Sequence, residues 1–197
     1  MTIGLLGGSF NPAHEGHLHV SDVALKRLGL DYVWWLVSPQ NPLKPVTGMA
    51  PLVDRLAFAR EIAGHPRIVV TDIENALGTR YTADTVNALQ RRFPLVRFVW
   101  LMGSDNLESF HRWRNWQMIA ARLPIAVVIR PGTALAPLKS AAARHFRRRF
   151  VASPKAFARA CPPALIALDG PRNAASATQI RTANQRREAL VGAPPSC

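Results

Sequence analysis

His14 and His17 stand three residues apart in Gly7-Gly8-Ser9-Phe10-Asn11-Pro12-Ala13-His14-Glu15-Gly16-His17, and far along the chain Ser176, Thr178 and Arg181 fall close together. These residue types point to one kind of chemistry. Imidazoles three apart on a helical turn face the same way, and as hydrogen-bond donors they suit oxygens on which negative charge develops. Hydroxyls at the opening of a helix receive an anion together with the fresh backbone amides, and a guanidinium one turn on matches phosphate oxygens in pairs. Gly7 and Gly8 carry no Cβ to hold a phosphate away from the backbone. A zinc site competes for the histidines, but His-Glu-Gly-His lacks the His-Glu-x-x-His spacing, and no cysteine is near to complete a zinc set.

Such groups need elements to aim them. Ile3 to Leu6 is an apolar opening, and Val20, Val23, Ala24 and Leu28 recur at helical spacing, so the chain reads strand, glycine turn, helix. That order points the free amides of a first helical turn at whatever lies beyond the strand end. Tyr32 to Val37 reads as a buried parallel strand. The loop after it holds Pro39, Pro42 and Pro45, which stiffen it and hold Lys44 past the strand end. Leu52 to Ala63 is an amphipathic helix, Arg67 to Thr71 a third strand, and Asp72 to Thr79 a polar loop. Thr82 is placed to cap a helix over Ala83 to Arg92. Val96 to Met102 is a fourth strand with Gly103-Ser104-Asp105 at its end, where Asp105 serves either a ribose or adenine edge or a helix cap. Pro124 to Arg130 is a fifth strand, Leu138 to Phe150 a basic helix, and Ala164 to Leu168 a sixth strand. Pro154 to Pro163 has no assignment. Ser176 opens a last helix.

Strands alternating with helices imply an α/β fold: a Rossmann-like, doubly wound, mostly parallel sheet with helices on both faces. Both anion-binding motifs then lie at carboxyl ends of strands and converge on one crevice. Residues 1–191 are expected to form the one domain, with a frayed tail over 192–197. The glycine turn differs from Gly-x-Gly-x-x-Gly, which disfavours an oxidoreductase with a bound nicotinamide.

The chain has 197 residues and a formal net charge of +13. That excess steers anionic substrates toward a cleft or binds nucleic acid. The stretch from Lys139 to Arg159 is rich in Lys and Arg and free of acid, and it fits a solvated face better than an RNA site, since no aromatic-interleaved signature accompanies it. No run of 18 apolar residues is present, so no membrane span is expected. No signal peptide is read, and the isolated Cys161 and Cys197 fit a reducing cytoplasm. The sequence leaves open whether copies associate as a homo-oligomer.

Gly-Gly-Ser-Phe-Asn-Pro-x-His-x-Gly-His resembles the signature of the H-x-G-H nucleotidyltransferase superfamily, and within it the chain looks like the bacterial nicotinate-nucleotide adenylyltransferases. Arg80-Tyr81-Thr82-Ala83-Asp84-Thr85 resembles that family's Ser-Tyr-Thr-x-Asp-Thr, with Arg80 where serine is usual. Ser176-Ala177-Thr178-Gln179-Ile180-Arg181 resembles its Ser-Ser-Thr-x-Ile-Arg, with Ala177 replacing the middle serine. The resemblance implies that ATP, carried with Mg2+, adenylylates nicotinate mononucleotide, giving nicotinate adenine dinucleotide and pyrophosphate. It places His14 and His17 at the triphosphate, Arg181, Ser176 and Thr178 at its β and γ groups, and Lys44 near the phosphates. The backbone of Gly8, Ser9 and Phe10 would add contacts, and Asp105 would lie beside the adenosine. Tyr81 and Thr82 would meet the nicotinate and its carboxylate, and Trp113 would stack on the ring. No protein-held metal set is implied. A sister enzyme acting on nicotinamide mononucleotide, phosphopantetheine or a cytidylyl acceptor would share the ATP motifs. The chain is short for an aminoacyl-tRNA synthetase and has no Lys-Met-Ser-Lys-Ser loop.

Overall fold

A computed structural model describes residues 1–39, 48–129 and 140–170. Six strands form one all-parallel sheet in the order β3-β2-β1-β4-β5-β6. They are β1 (Thr2–Gly8), β2 (Tyr32–Val37), β3 (Ile68–Thr71), β4 (Arg97–Gly103), β5 (Ile125–Val128) and β6 (Leu165–Leu168). The helices are α1 (Glu15–Leu28), α2 (Leu52–Ala63), α3 (Ile73–Ala76), α4 (Thr82–Arg92), α5 (Ser104–Ser109), α6 (Trp116–Arg122), α7 (Ala141–His145) and α8 (Pro154–Arg159), with a 3-10 turn at Phe110–Arg112. Strand order reverses between β1 and β4, which pair from Thr2 opposite Arg97 to Leu6 opposite Leu101. A doubly wound sheet opens its ligand crevice at such a reversal, beyond the carboxyl ends of the strands.

Alternation along the strands divides the core. On one face Leu6, Val33, Trp35, Val99 and Leu101 pack with Val20 and Ala24 of α1, Ala59 of α2 and Phe157 of α8. On the other, Ile3, Leu5, Leu36, Trp100 and Met102 pack with Val86 and Leu89 of α4, Phe110, and Ile119 of α6. The doubly wound expectation therefore holds, and each fully buried Leu, Ile or Phe contributes about 1.5–3 kcal/mol.

Several local expectations need correction. Gly7 and Gly8 belong to β1 rather than to a turn. A Cβ on Gly7 would stand 2.8 Å from Cη2 of Trp100, so that glycine makes room for an indole. The 72–79 loop contains the short helix α3, started by the Asn75 amide donating to the Asp72 carbonyl. Thr82 is the first residue of α4, and Tyr81 occupies the cap position without a side-chain hydrogen bond. Gly103, not Asp105, caps α5. The basic helix is shorter than Leu138 to Phe150: α7 ends at His145, and the chain is drawn onto the sheet edge, where Phe150 bridges Leu165 and the Val151 amide donates to the Leu165 carbonyl. The unassigned 154–163 stretch holds α8, capped by Ser153, whose hydroxyl accepts from the Ala156 amide, with Pro154 in the first turn.

Candidate active site

The first turn of α1 is built from its own histidines. His14 is the cap residue, extended at φ −159° and ψ 169°. The Gly16 amide donates to His14 Nδ1 at 3.0 Å, and the His14 amide donates to His17 Nδ1 at 3.2 Å. This is a capping box made of imidazoles. It revises the expectation of free first-turn amides, because two of them are occupied by ring nitrogens. The exchange has a chemical result. A neutral ring that accepts at Nδ1 carries its proton on Nε2, so the hydrogen-bond network assigns both rings the tautomer that donates from Nε2. The ring centroids lie 4.0 Å apart.

Aromatic packing fixes these rings from below. Phe10 is 1% exposed, sits 4.5 Å from the His17 ring, and stacks on Trp35 at 5.1 Å. Trp35 Nε1 donates to Ser21 Oγ at 2.8 Å, and that hydroxyl donates to the His17 carbonyl at 2.9 Å. Phe10 adopts φ +44°, a left-handed conformation that bulky residues avoid at a cost of about 1–3 kcal/mol. The stack over Trp35 offsets that cost and holds the Ser9–Phe10 turn beside the histidines.

Across the reversal, Ser104 is buried and Asp105 exposed in the first turn of α5. Continuing the β1–β4 register by two residues puts Gly103 beside Gly8. The other expected residues reach the same end of the sheet through contacts. Trp100, which fills the space over Gly7, meets Trp113 edge-on at 5.9 Å. Trp113 is half-buried and also meets Phe110 at 5.4 Å. The next residue, Arg114, lays its guanidinium 4.4 Å over the Tyr81 ring. Arg114 thus links the Trp113 segment to Tyr81 at the start of α4, and Trp100 links Trp113 to Gly7 of β1. Lys44, Ser176, Thr178 and Arg181 lie outside the described residues. The described chain stops before that motif at Gly170, where a Cβ would stand 2.5 Å from Val23 Cγ2 of α1.

Two buried charged residues that the sequence did not single out lie beside the segments that follow β1 and β2. Arg55 is 3% exposed and hydrogen-bonds backbone carbonyls of the segments following β1 and β2. Burial lowers its pKa from the usual arginine value. Its signal was an arginine on the inward stripe of α2, beside Leu56 and Ala59. Glu74 is 6% exposed at a cleft of about 310 Å3 lined also by Pro39, Asn75, Gly78, Thr79 and Arg80. Thr85 Oγ1 donates to its carboxylate at 3.2 Å. Burial pushes the Glu74 carboxyl above the usual carboxylate range, while hydrogen bonds from Thr85 and Ser38 act in the opposite direction. Nothing local in the sequence marked it.

A family model described as cytidylyltransferase-like matches residues 5–183. A Cereibacter sphaeroides protein named "Probable nicotinate-nucleotide adenylyltransferase" is 54% identical over 95% of this chain and 100% of its own length. One of the same name from Parvibaculum lavamentivorans is 55% identical over 92% of this chain and 91% of its own. Among solved structures, Plasmodium falciparum nicotinic acid mononucleotide adenylyltransferase complexed with NaAD superposes with a TM-score of 0.69 at 15% identity, covering 92% of this chain and 82% of that one. At that identity it speaks for the fold. With that fold, the imidazole-capped α1 at the strand-order reversal, and relatives matched over nearly their whole length, the chain belongs to the cytidylyltransferase-like family, among its nicotinate-nucleotide adenylyltransferases.

Proposed function

We propose that the protein joins nicotinate mononucleotide to ATP, forming nicotinate adenine dinucleotide and releasing pyrophosphate, as a step of NAD biosynthesis. The observation that carries the site assignment is the imidazole capping box, which gives His14 and His17 the tautomer that donates from Nε2 at the carboxyl end of β1. The attacking group is an oxygen of the mononucleotide's phosphate. It forms a bond to the α-phosphorus of ATP as the bond from that phosphorus to the pyrophosphate oxygen breaks. The nucleophile is already an anion, so the protein needs neither a base nor a nucleophile of its own. Its work is to align the reactants and neutralise charge.

In this reading His17 donates to the α-phosphoryl group and His14 to its neighbours, with the Gly8–Ser9–Phe10 backbone supporting them. Lys44, Ser176, Thr178 and Arg181 complete the polyphosphate grip, and Asp105 lies beside the adenosine. Tyr81, Thr82 and Trp113 receive the nicotinate. Among the described residues no group of three or more His, Cys, Asp or Glu is arranged to hold a metal. A divalent ion, Mg2+ in this proposal, enters as part of the nucleotide substrate, liganded by phosphate oxygens and water, and neutralises phosphate charge. No described helix is long and apolar enough to cross a membrane. A cytoplasmic setting suits the reaction and the free, exposed Cys161.

The test is a side-by-side assay of nicotinate mononucleotide and nicotinamide mononucleotide with ATP, read by pyrophosphate release and chromatography of the dinucleotide. The expected result is preferential turnover of the acid. Preferential turnover of the amide would reassign the protein to the sister reaction, and turnover of neither would remove the reading.

A further inference from the structure

Among the described residues, Arg55 is a buried, heavily engaged side chain that the proposed chemistry does not use. Its Nε donates to the Ala50 carbonyl at 2.9 Å, Nη1 to the Ser9 carbonyl at 2.7 Å and the Ser38 carbonyl at 2.8 Å, and Nη2 to the Pro39 carbonyl at 3.0 Å. One fork therefore joins three segments: the turn after β1, the end of β2 and the approach to α2. Asn11 adds a second tie between the first and third, its Nδ2 donating to the Gly48 carbonyl at 2.9 Å and its Oδ1 accepting from the Ala50 amide at 3.2 Å.

Every one of those four partners is a neutral carbonyl. A buried cation costs free energy that a well-packed apolar residue of the same volume would avoid. Stability alone thus gives a weak reason for an arginine here, and the position of the charge gives a stronger one. The Ser9 carbonyl that Arg55 grips immediately precedes Phe10, whose ring touches His17. Arg55 thereby sets the turn that carries Phe10, and Phe10 sets the plane of His17. It also places a positive charge behind a turn that faces anions.

We propose that Arg55 is a positioning residue for adenylyl transfer: its guanidinium fixes the Ser9–Phe10 turn, and through Phe10 the His17 ring, against the ATP phosphates. The proposal rests on the phosphate role assigned to His17. Lysine cannot replace the arginine, because an ammonium is a point charge without the planar fork that reaches carbonyls of separate segments. Small misplacement of a reacting group costs about 10²-fold in rate.

The test compares Arg55→Lys and Arg55→Ala with the unaltered protein, measuring kcat, KM for ATP, KM for nicotinate mononucleotide, and thermal midpoint. Both variants are expected to lose at least about 10-fold, and toward 10²-fold, in kcat/KM for ATP, with KM for the mononucleotide unchanged within twofold. Guanidinium ion at low millimolar concentration is expected to restore part of the Arg55→Ala activity, where equal sodium chloride does not. If Arg55→Ala fails to fold, Arg55→Lys carries the comparison. Kinetic constants matching the unaltered protein in a folded Arg55→Lys would overturn the proposal. So would a rise in both KM values alike, with kcat unchanged, that tracks the thermal midpoint. Absence of pyrophosphate release by the unaltered protein would instead contradict the adenylyl-transfer reading itself.

Discussion

His17 does two things with one ring. Its Nδ1 accepts from the His14 amide at 3.2 Å and so helps begin α1, while in the proposed mechanism its Nε2 offers a proton to phosphate. Replacing it by alanine removes both. His17→Ala is expected to lose about 10²–10³-fold in kcat, the scale of a removed oxyanion donor. Loss of the cap bond costs about 1 kcal/mol, which lowers the thermal midpoint by only about 2–4 °C. Steady-state kinetics beside a thermal melt separate the two effects, and an unchanged kcat would exclude the ring from the chemistry. Glu74 gives a prediction in pH. Its folded-state pKa is raised by burial, so the folded state binds a proton more tightly than the unfolded state, and ionised Glu74 is a burden on stability. That burden is absent below the unfolded pKa, develops as pH rises through the folded value, and persists above it. Glu74→Gln keeps an oxygen for the Thr85 hydroxyl and removes the charge. It is expected to match or exceed the unaltered protein in urea midpoint at neutral pH, with the advantage shrinking as pH falls. The paired histidines were legible in the sequence because their partners lie two and three residues away. Arg55 was not, because its Ser9 partner is 46 residues distant and the pairing exists only once β1 and α2 are packed.

At the scale of elements, the strands declare themselves because a parallel sheet covered on both faces needs continuous apolar runs. β2 over Tyr32–Val37 and α2 over Leu52–Ala63 lie where the pattern puts them. The basic segment misled for a physical reason: alanine and arginine both favour helix, but pairing of 149–151 with Leu165 at the sheet edge overrides propensity. Edge strands need such cover, and the exposed Arg147, Arg148 and Arg149 make this cover unattractive to further strands. The glycines after the first apolar run were read as making room for phosphate, yet for Gly7 the neighbour is Trp100. Gly7→Ala would place a Cβ 2.8 Å from that indole. Overpacking of this kind costs about 1–3 kcal/mol. Because Trp100 leads to Trp113 edge-on, the substitution is also expected to raise KM for the mononucleotide more than KM for ATP. Equal KM values in Gly7→Ala would sever Trp113 from the acceptor.

For the whole molecule, doubly wound topology brings the α1 cap after β1, the α5 start after β4 and the α4 start after β3 to one end of the sheet. The chain carries a net charge of +13; among the described residues Arg67 and Arg97 are engaged internally, donating to the Leu30 carbonyl at 3.2 Å and to the Ala160 carbonyl at 2.8 Å. If the remaining charge acts as a steering field, it favours two anionic substrates. Raising ionic strength from about 0.01 to 0.15 M shortens the Debye length from about 30 to about 8 Å. Steering then predicts that kcat/KM falls severalfold while kcat changes little, and a flat kcat/KM would remove steering as the use of the charge.

A crystal structure of the protein with nicotinate adenine dinucleotide bound tests the phosphate role of the α1 cap. The bridging phosphates are expected within hydrogen-bond reach of Nε2 on His14 and His17, with the nicotinate against Trp113. A dinucleotide seated away from the α1 cap, or both imidazoles turned from the phosphates, would contradict it.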